Sequence, residues 1–258
     1  MVKVGINGFG RIGRSFFKIA QRYQSEIEIV GINDIGSPKQ MAHLLKYDSI
    51  YGTLPNKVTY DDSHIIVDGK AYPLFQQRDV KNVDWDGLGA EIIIESSGKY
   101  AGRRESSSQD RLPLGGHVKK VIITAPSTID DITIVLGVNE DQYDPKKHHV
   151  ISGASMTTCG LAAILKLMND TYGVERGMTM SVHSYTTDQK ILDVSHKDFR
   201  RARAAGMSII PTTTGAAEAI TKVLPAVEGK LSCHAVRVPT PDVSIIDIPR
   251  IGKERYYP

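Results

Sequence analysis

Residues 2–13 read VKVGINGFGRIG, and this stretch decides the fold class. Residues 2–7 have the apolar character of a short buried strand, and glycines follow at positions 8, 10 and 13, at the start of a helical stretch that extends to about residue 21. In such a unit the first glycine permits a tight turn, the second lets the backbone approach a pyrophosphate, and the third lets the helix pack closely on the strand. The stretch predicts a dinucleotide-binding loop at a helix N-terminus. The alternative is a glycine turn that only connects the strand to the helix.

A second apolar run supports the dinucleotide hypothesis. Residues 27–33 read IEIVGIN and lead into Asp34, which follows the glycines at a distance of about 20 residues. An acid at this position is suited to the 2′-hydroxyl of an adenosine ribose, and its charge favours NAD over NADP.

The rest of the chain alternates strands and helices, which predicts an α/β protein with a mostly parallel, Rossmann-type sheet. We expect this nucleotide-binding domain to span residues 1–151 and a second, α+β domain to span residues 152–258. The expected strands of the first domain are 57–60, 65–67, 71–75, 91–95, 119–124, 132–136 and 149–151, with a helix near 38–46 and a turn at Asp68-Gly69. In the second domain we expect helices at 155–171 and 215–223 and strands at 178–185, 231–238 and 243–248.

Residues 106–116 interrupt this alternation. Pro113 and the pair Gly115-Gly116 disfavour a full helix. We expect at most a short helix that ends before Pro113.

The composition is that of an ordinary globular protein, with 258 residues, 41% hydrophobic and 24% charged. No apolar run reaches the roughly 18 residues of a membrane helix, and no signal-like segment precedes the first strand. We therefore expect a cytoplasmic protein without membrane contact; a plastid location would require a removed transit peptide. Cys159 and Cys233 are too few for a disulfide framework and lack metal-type spacing, so no metal is expected.

Several stretches resemble the glyceraldehyde-3-phosphate dehydrogenase family, in order and over almost the whole chain. They are INGFGRIGR at 6–14, HLLKYDS at 43–49, VHSYT at 182–186, HKDFRRARAA at 196–205, PTTTGAA at 211–217 and RVPTP at 237–241. Residues 33–40 and Ser195 resemble the plastid and cyanobacterial branch, whose members use NADP as well as NAD. The resemblance implies NAD as the cofactor, with NADP as an alternative, and glyceraldehyde 3-phosphate and phosphate as ligands.

The resemblance also implies two sets of binding residues. The cofactor would be held by Asn7, Gly8, Gly10, Arg11, Ile12, Gly13, Asp34, Arg78, Ser97 and Thr124. The substrate and phosphate would be held by Ser155, Thr157, Thr186, Thr214, Gly215 and Arg237, although each could instead be a helix cap or a structural residue.

The catalytic stretch GASMTTCG at 153–160 departs from the family, because Met156 stands where the nucleophilic cysteine is expected. A thioether has no ionisable proton and cannot form an acyl intermediate. Cys159, one helical turn further on, is a candidate substitute but would be displaced by roughly 4.5–5 Å. The more common role of such a cysteine is that of a small buried apolar residue. His183 matches the histidine that activates the thiol.

A second departure concerns the end of the chain. The family continues for roughly another quarter of its length beyond the strand at 243–248 and the polar tail at 249–258. The missing part would include the asparagine that orients the nicotinamide amide. We expect a partner chain, a second copy or the missing segment encoded elsewhere to cover the apolar faces near Val236 and Ile246.

Three functions therefore remain open. The first is an NAD(P)-binding homologue, or pseudoenzyme, that is impaired in phosphorylating aldehyde oxidation. The second is an active or residually active glyceraldehyde-3-phosphate dehydrogenase of glycolysis or carbon fixation. The third is a structural or nucleic-acid-binding remnant that uses the basic residues Lys197, Arg200, Arg201 and Arg203. A net charge of +3 is too small to favour nucleic acid, and the resemblance places these arginines in a loop paired across subunits of a homo-oligomer.

Overall fold

The computed structural model describes residues 1–100, 109 and 112–248. The chain divides into two compact units. The first contains Met1–Ile134 and Gln142–Ala154, and the second contains Val135–Asp141 and the chain from Ser155 onward.

A nine-stranded sheet forms the centre of the first unit in the part of the chain described. Strands β1 to β11 of this unit are Val2–Asn7, Ile27–Asn33, Tyr47–Asp48, Gly52–Thr53, Val58–Tyr60, His64–Val67, Lys70–Phe75, Ile92–Glu95, Lys120–Ile123, Ile132–Thr133 and Val150–Ser152. The sheet has the order β10-β11-β9-β8-β1-β2-β7-β6-β5, while β3 and β4 form a separate hairpin. The strands from β10 to β7 are parallel, and β6 and β5 are antiparallel at one edge. The predicted Rossmann-type, mostly parallel sheet is thus confirmed.

The strand order reverses at β1, which fixes where a ligand can bind. β2 lies on one side of β1 and β8 on the other, and both pairs are parallel. The last residue of β1, Asn7, is in register with Asn33 on β2 and Glu95 on β8. Ligands of open α/β sheets bind in the crevice at the carboxyl ends of the strands where the order reverses.

Two helices cover this sheet in the described residues, α1 (Arg11–Ala20) and α2 (Pro38–Lys46). The fully buried ring of Phe17 on α1 packs edge-on against Phe9 and Tyr72, with ring centroids 5.7 and 4.9 Å apart. α2 begins with a capping box, in which the Ser37 hydroxyl accepts the Gln40 N–H and the Gln40 side chain accepts the Ser37 N–H. The ring contacts hold α1 against its surroundings, and the capping box fixes the start of α2.

The second unit is a mixed α/β arrangement. Its elements are α3 (Met156–Tyr172), β12 (Gly177–Ser184), β13 (Ile210–Thr212), α4 (Ala216–Thr221), β14 (Leu231–Val238) and β15 (Ser244–Asp247). The sheet has the order β13-β14-β12-β15, in which β12 and β14 are parallel and the two outer strands are antiparallel to their neighbours. Leu161 and Leu165 of α3 are fully buried. Short 3-10 helices of this unit lie at Phe199–Ala202 and Pro225–Val227, another lies at Val80–Asn82 in the first unit, and one at Glu140–Gln142 includes the last residues of Val135–Asp141.

Most of the predicted elements appear within one or two residues of their expected bounds. The strand expected at 132–136 is shorter, because Val135 leaves the sheet and its N–H binds the Asn139 side chain. The α4 helix is also shorter than the expected 215–223 and ends at Thr221. β13 and the β3–β4 hairpin were not predicted. Pro211 argues against a strand in the sequence, yet β13 lies at a sheet edge, where proline is tolerated.

Two predictions fall on other parts of the chain. The short helix expected before Pro113 and the tail at 249–258 lie outside the described residues. Residues 115–118 are described and form a tight turn, in which Gly115 and Val118 exchange both backbone hydrogen bonds.

The described residues contain no helix that has both the length and the apolar character needed to span a membrane.

Candidate functional site

The glycine loop between β1 and α1 is a closely packed backbone turn. Gly8 has φ +92°, and a Cβ there would lie 2.4 Å from the backbone nitrogen of Ser97. A Cβ on Gly13 would lie 2.1 Å from the Gly8 carbonyl oxygen. Both positions therefore require glycine, the first for its conformation and for space, the second for the approach of α1 to the loop.

Gly10, the residue that caps α1, differs from these two glycines. Among the described residues, no atom apart from those of its chain neighbours lies within 4 Å of the position that its Cβ would occupy, so the loop is open on this side. Asp34 closes the other side of the loop, because its carboxylate accepts the Phe9 N–H at 2.7 Å and the Gly36 N–H at 2.9 Å. An open cradle beside a helix N-terminus, with an acid at the end of β2, fits a dinucleotide.

A chain of buried side chains runs along the carboxyl edge of the sheet below this loop. The Gln77 N–H donates to the side-chain oxygen of Asn33 at 2.9 Å, and the Asn33 amide donates to the side-chain oxygen of Asn7 at 2.7 Å. The Asn7 amide in turn donates to the Glu95 carboxylate. Both ends of the Asn7 side chain are thus used inside the protein. Glu95 was not among the sequence-predicted residues.

The turn after β8 is built on the same carboxylate. Both the N–H and the hydroxyl of Ser97 donate to Glu95, at 2.8 and 2.5 Å. Thr124 donates its N–H and its hydroxyl to the Glu95 backbone carbonyl, at 3.0 and 3.1 Å. Burial raises the pKa of the Glu95 carboxyl, while the hydrogen bonds from Ser97 and Asn7 and the charge of Lys99 lower it.

The other predicted cofactor residues of the first unit are more exposed. Ile12 is exposed on the first turn of α1, and Arg11 beside it forms an ion pair with Asp48 at 3.3 Å. Burial acts to raise the pKa of Asp48, but the N–H groups of Tyr51 and Ile50 and the charge of Arg11 lower it well below its usual range. The Arg78 side chain is exposed, and its carbonyl accepts the Lys99 ammonium group at 2.8 Å.

The first turn of α3 carries the residue expected to be the nucleophile. Ser155 is the N-cap, with its hydroxyl accepting the Thr158 N–H at 3.0 Å, and Met156 is the first helical residue. Met156 is 67% exposed, and the neighbouring Thr157 is half-buried. Ala154, just before the cap, has φ +61°, a strained conformation that re-aims the chain into the helix. Residue 156 therefore projects its side chain at a helix N-terminus, but the side chain is a thioether.

Cys159 is poorly suited to replace the missing nucleophile. The residue is half-buried, and burial raises the pKa of its thiol. A raised pKa reduces the fraction of thiolate, which is the reactive species.

His183 and Arg237 lie side by side on the neighbouring strands β12 and β14. Arg237 donates to the Ser184 carbonyl at 3.0 Å and to the Thr186 hydroxyl at 3.4 Å. His183 Nδ1 lies 2.7 Å from the Ser184 carbonyl oxygen and 3.2 Å from the Arg237 guanidinium. Nδ1 cannot donate to the first and accept from the second, and the shorter contact assigns the proton to Nδ1. Nε2 is then the nitrogen with the lone pair.

The electrostatics keep this histidine neutral. Burial lowers the pKa of His183, the Ser184 carbonyl raises it, and the charges of Arg237 and Arg201 lower it further. Burial and the charge of Arg201 also lower the pKa of Arg237. Arg237 and Arg201 thus bring two positive charges near His183, an arrangement that suits an anion, with Asp188 paired to Arg201.

Arg201 was missed as a functional residue, because the sequence showed it only as one of a basic cluster. Its side chain is partly buried and donates to Asp188 at 2.6 Å, to the Thr212 hydroxyl at 2.7 Å and to the Thr213 carbonyl at 3.3 Å. These bonds hold Arg201 near the start of α4, where Thr214 accepts the Ala216 N–H and Gly215 is the N-cap.

Two further arginines of the basic cluster form ion pairs within their own segment. Arg200 pairs with Asp198 at 2.8 Å, and Arg203 pairs with Asp193 at 3.2 Å. Within the described residues, no three His, Cys, Asp or Glu side chains come together as a metal site requires.

Comparisons with known proteins agree with this arrangement. Residues 2–103 match the family described as "Glyceraldehyde 3-phosphate dehydrogenase, NAD binding domain", and residues 155–254 match its C-terminal domain. NAD is thus the cofactor that the family and its first domain specify.

Three similar proteins are bacterial and carry the family name. The chain is 51% identical over 247 residues to glyceraldehyde-3-phosphate dehydrogenase of Geobacillus stearothermophilus, covering 96% of this chain and 72% of the relative. It is 50% identical over 248 residues to glyceraldehyde-3-phosphate dehydrogenase 1 of Bacillus cereus, covering 96% and 73%. It is also 50% identical over 247 residues to glyceraldehyde-3-phosphate dehydrogenase 1 of Bacillus subtilis, covering 96% and 72%. With both domains matched and half of the residues identical over nearly all of its length, this chain belongs to the glyceraldehyde-3-phosphate dehydrogenase family.

Proposed function

We propose that this protein binds NAD and glyceraldehyde 3-phosphate through the family's two sites, and that Met156 impairs the covalent step of the family's reaction. The observation that carries the proposal is the first turn of α3, where a thioether projects from the N1 position of an otherwise well-formed helix start. The loop at 8–13 would hold the pyrophosphate, and Asp34 would hold the adenosine ribose. Arg11, Ile12, Arg78, Ser97 and Thr124 would complete the cofactor site, with Asn7 in the buried chain of amides beneath it.

The substrate's phosphate would bind beside His183, where Arg237 and Thr186 are joined by a hydrogen bond. Ser155 and Thr157 at the start of α3, together with Thr214 and Gly215 before α4, would provide the second anion site. His183 stays neutral because burial lowers its pKa, so its Nε2 can accept a proton.

The covalent step needs a thiol, and residue 156 provides only a thioether. In the family chemistry a thiolate attacks the aldehyde carbon, the resulting alkoxide carbon loses a hydride, and phosphate then displaces the thiol from the acyl group. Bound NAD supplies the hydride acceptor. The Met156 sulfur already carries two carbon substituents, so it has no proton for His183 to remove and cannot leave as a thiolate.

An active dehydrogenase is the second candidate, and the comparisons favour it more than the impaired form. All three relatives named above are called glyceraldehyde-3-phosphate dehydrogenase, at 50–51% identity. The argument for impairment rests on the chemistry of one side chain. Turnover of wild-type protein that survives Cys159→Ala would decide for the active form and would show that residue 156 is not the reacting position.

We also propose the domain limits 1–151 and 152–258, a cytoplasmic location and a homo-oligomer. The oligomer is supported by large apolar side chains that stand exposed in one segment of the second unit, among them Ile191, Phe199 and Met207. The relatives named above are bacterial, and none supports a plastid location. The chain's ion-paired arginines offer little to nucleic acid.

NAD binding is tested by calorimetry on the purified chain. We expect wild-type protein to bind NAD with micromolar to millimolar affinity and Asp34→Ala to bind it at least about tenfold more weakly, because the ribose loses a charge-assisted hydrogen bond. The variant should also gain affinity for NADP relative to NAD, since a carboxylate no longer faces the 2′-phosphate. Folded wild-type protein that binds no NAD at millimolar concentration would rule out the proposed cofactor site.

The anion site is tested by Arg237→Gln, with Arg203→Gln as the control. Arg237 is half-buried beside His183, whereas Arg203 is exposed and pairs with Asp193. A charge-assisted hydrogen bond contributes about 1.5–3 kcal/mol, so Arg237→Gln should weaken the binding of glyceraldehyde 3-phosphate by about tenfold to a hundredfold. Arg203→Gln should leave it unchanged. Equal effects of the two variants would contradict a specific role for Arg237.

A further inference from the structure

The buried chain of amides below the glycine loop has a direction, and Glu95 determines it. A backbone N–H, that of Gln77, lies at one end and a carboxylate at the other. The backbone N–H can only donate and the carboxylate can only accept, so the amides of Asn33 and Asn7 must both point their NH2 groups toward Glu95. The chain connects the carboxyl ends of β2, β1 and β8 with the segment after β7.

Glu95 also holds the turn that packs against Gly8. Its second carboxylate oxygen accepts the N–H and the hydroxyl of Ser97. The backbone of residue 97 is the group that a Cβ on Gly8 would strike, and Ser96 donates to the Gly8 carbonyl at 2.7 Å. The position of Gly8 therefore depends on both branches of the network, from β1 and from the turn after β8.

We propose that Glu95 is a positioning residue for NAD binding, acting through the three donors that Asn7 and Ser97 direct at its buried carboxylate. The inference rests on the proposed cofactor site. Glu95 is 2% exposed and lies beneath the loop backbone, so it acts on the cofactor through Asn7 and Ser97 and not by direct contact.

These three donors are satisfied only when both oxygens of the Glu95 carboxylate accept hydrogen bonds. If one oxygen is replaced by an NH2 group, that group faces either the Asn7 amide or the Ser97 N–H, and both are donors. Rotating the side-chain amide of Asn7 by half a turn only moves this donor–donor conflict, because the Asn7 NH2 group would then face the NH2 group of Asn33. A proton on the carboxyl group creates the same conflict at Asn7 or reverses the Ser97 hydroxyl. A buried donor without an acceptor costs about 1–3 kcal/mol.

The pH dependence follows from the charges around Glu95. The neighbouring side chains are Asn7 on β1, Asn33 on β2 and Thr124 just after β9, all neutral, and Lys99 is the charged group that acts on Glu95 from the following turn. Burial raises the pKa of Glu95, so the carboxyl group takes up a proton at a higher pH than an ordinary glutamate. NAD affinity should therefore fall as the pH falls through this pKa. Protonation removes a buried charge, so the same change should not lower the stability contributed by Glu95.

The experiment measures NAD dissociation constants by calorimetry from about pH 8 down to the lowest pH at which circular dichroism shows the protein folded, because the Glu95 carboxyl group gains its proton on this descent. We expect Glu95→Gln to bind NAD about tenfold more weakly than wild type at pH 8 and to show a flat pH profile. The matched control is Glu91→Gln, just before the start of the same strand, where the carboxylate accepts the Lys3 N–H in an exposed position. This control should keep the wild-type affinity and the wild-type pH profile.

Ser97→Ala provides a second test if Glu95→Gln does not fold, as checked by circular dichroism. Ser97 is exposed, and its loss removes one of the three donors that favour the ionised carboxylate. The midpoint of the NAD affinity profile should then move to higher pH, a shift that a merely structural serine would not cause. Wild-type protein that binds NAD with the same pH profile as Ser97→Ala and Glu95→Gln would overturn the inference while leaving the cofactor site intact. Wild-type protein that binds no NAD would instead contradict the proposed function.

Discussion

Gly8→Ala is expected to destabilise the protein by about 3 kcal/mol or more, because two costs add at this position. A non-glycine residue at φ +92° costs about 1–3 kcal/mol in backbone strain. A methyl group 2.4 Å from the backbone nitrogen of Ser97 forces the loop away from β8, and overpacking of this kind costs a further 1–3 kcal/mol or so. In a protein of this size the melting temperature should fall by roughly 6–12 °C. Differential scanning calorimetry measures the change.

Two glycine controls separate the causes. Gly52 has φ +74° with no atom within 4 Å of its Cβ position, so Gly52→Ala carries the strain without the collision and should cost less. Gly10→Ala introduces neither backbone strain nor a collision. It should lower the free energy of unfolding by at most about 1 kcal/mol, because alanine is a poorer helix cap. Its methyl group would instead fill the open side of the loop and weaken NAD binding at least about tenfold. A Gly8→Ala variant as stable as Gly10→Ala would contradict the packing of this loop.

The glycine loop was predictable because its signal is local. Strand, glycines and helix follow one another within twelve residues, and each glycine has its own steric reason. The parallel sheet followed from the same kind of signal, repeated along the chain. The strand at 132–136 was predicted too long because the contact that ends it is not visible in the local pattern. The residues ITIVL are typical of a strand, but the Val135 N–H donates to the side chain of Asn139.

Glu95 and Arg201 were missed because their roles depend on residues that are distant in the chain. The sequence around Glu95 reads as a strand that ends in an acid, and nothing local shows that Asn7, 88 positions earlier, donates to it. Arg201 looked like one of several surface arginines until the fold placed it beside Asp188 and Thr212. The Met156 departure, in contrast, was visible only against a known family pattern. The structure adds its place at the first helical position of α3.

Met156→Cys is expected to create the most reactive thiol of the protein. The new sulfur would sit at the N-terminus of a helix of 17 residues, at a position that is 67% exposed. The helix dipole lowers the pKa of a thiol there, whereas burial raises the pKa of Cys159. At pH 7 the new cysteine should react with iodoacetamide about fivefold to tenfold faster than Cys159, after allowing for the lower nucleophilicity of a more acidic thiol. Mass spectrometry of the labelled peptides measures the rates.

Leu167→Cys is the matched control for this reactivity, since Leu167 lies on the same helix and is 69% exposed but is distant from its N-terminus. It should label at the rate of an ordinary exposed thiol. If residue 156 is the reacting position, Met156→Cys should also raise phosphate-dependent NADH formation from glyceraldehyde 3-phosphate by at least about a hundredfold over wild type. The reason is that an attacking sulfur misplaced by about 1 Å already loses about a hundredfold in rate. Loss of wild-type turnover in Cys159→Ala would show instead that Cys159 carries the reaction. Equal labelling of Met156→Cys and Leu167→Cys would mean that this helix start does not activate a thiol, and the proposed site of impairment would then be wrong.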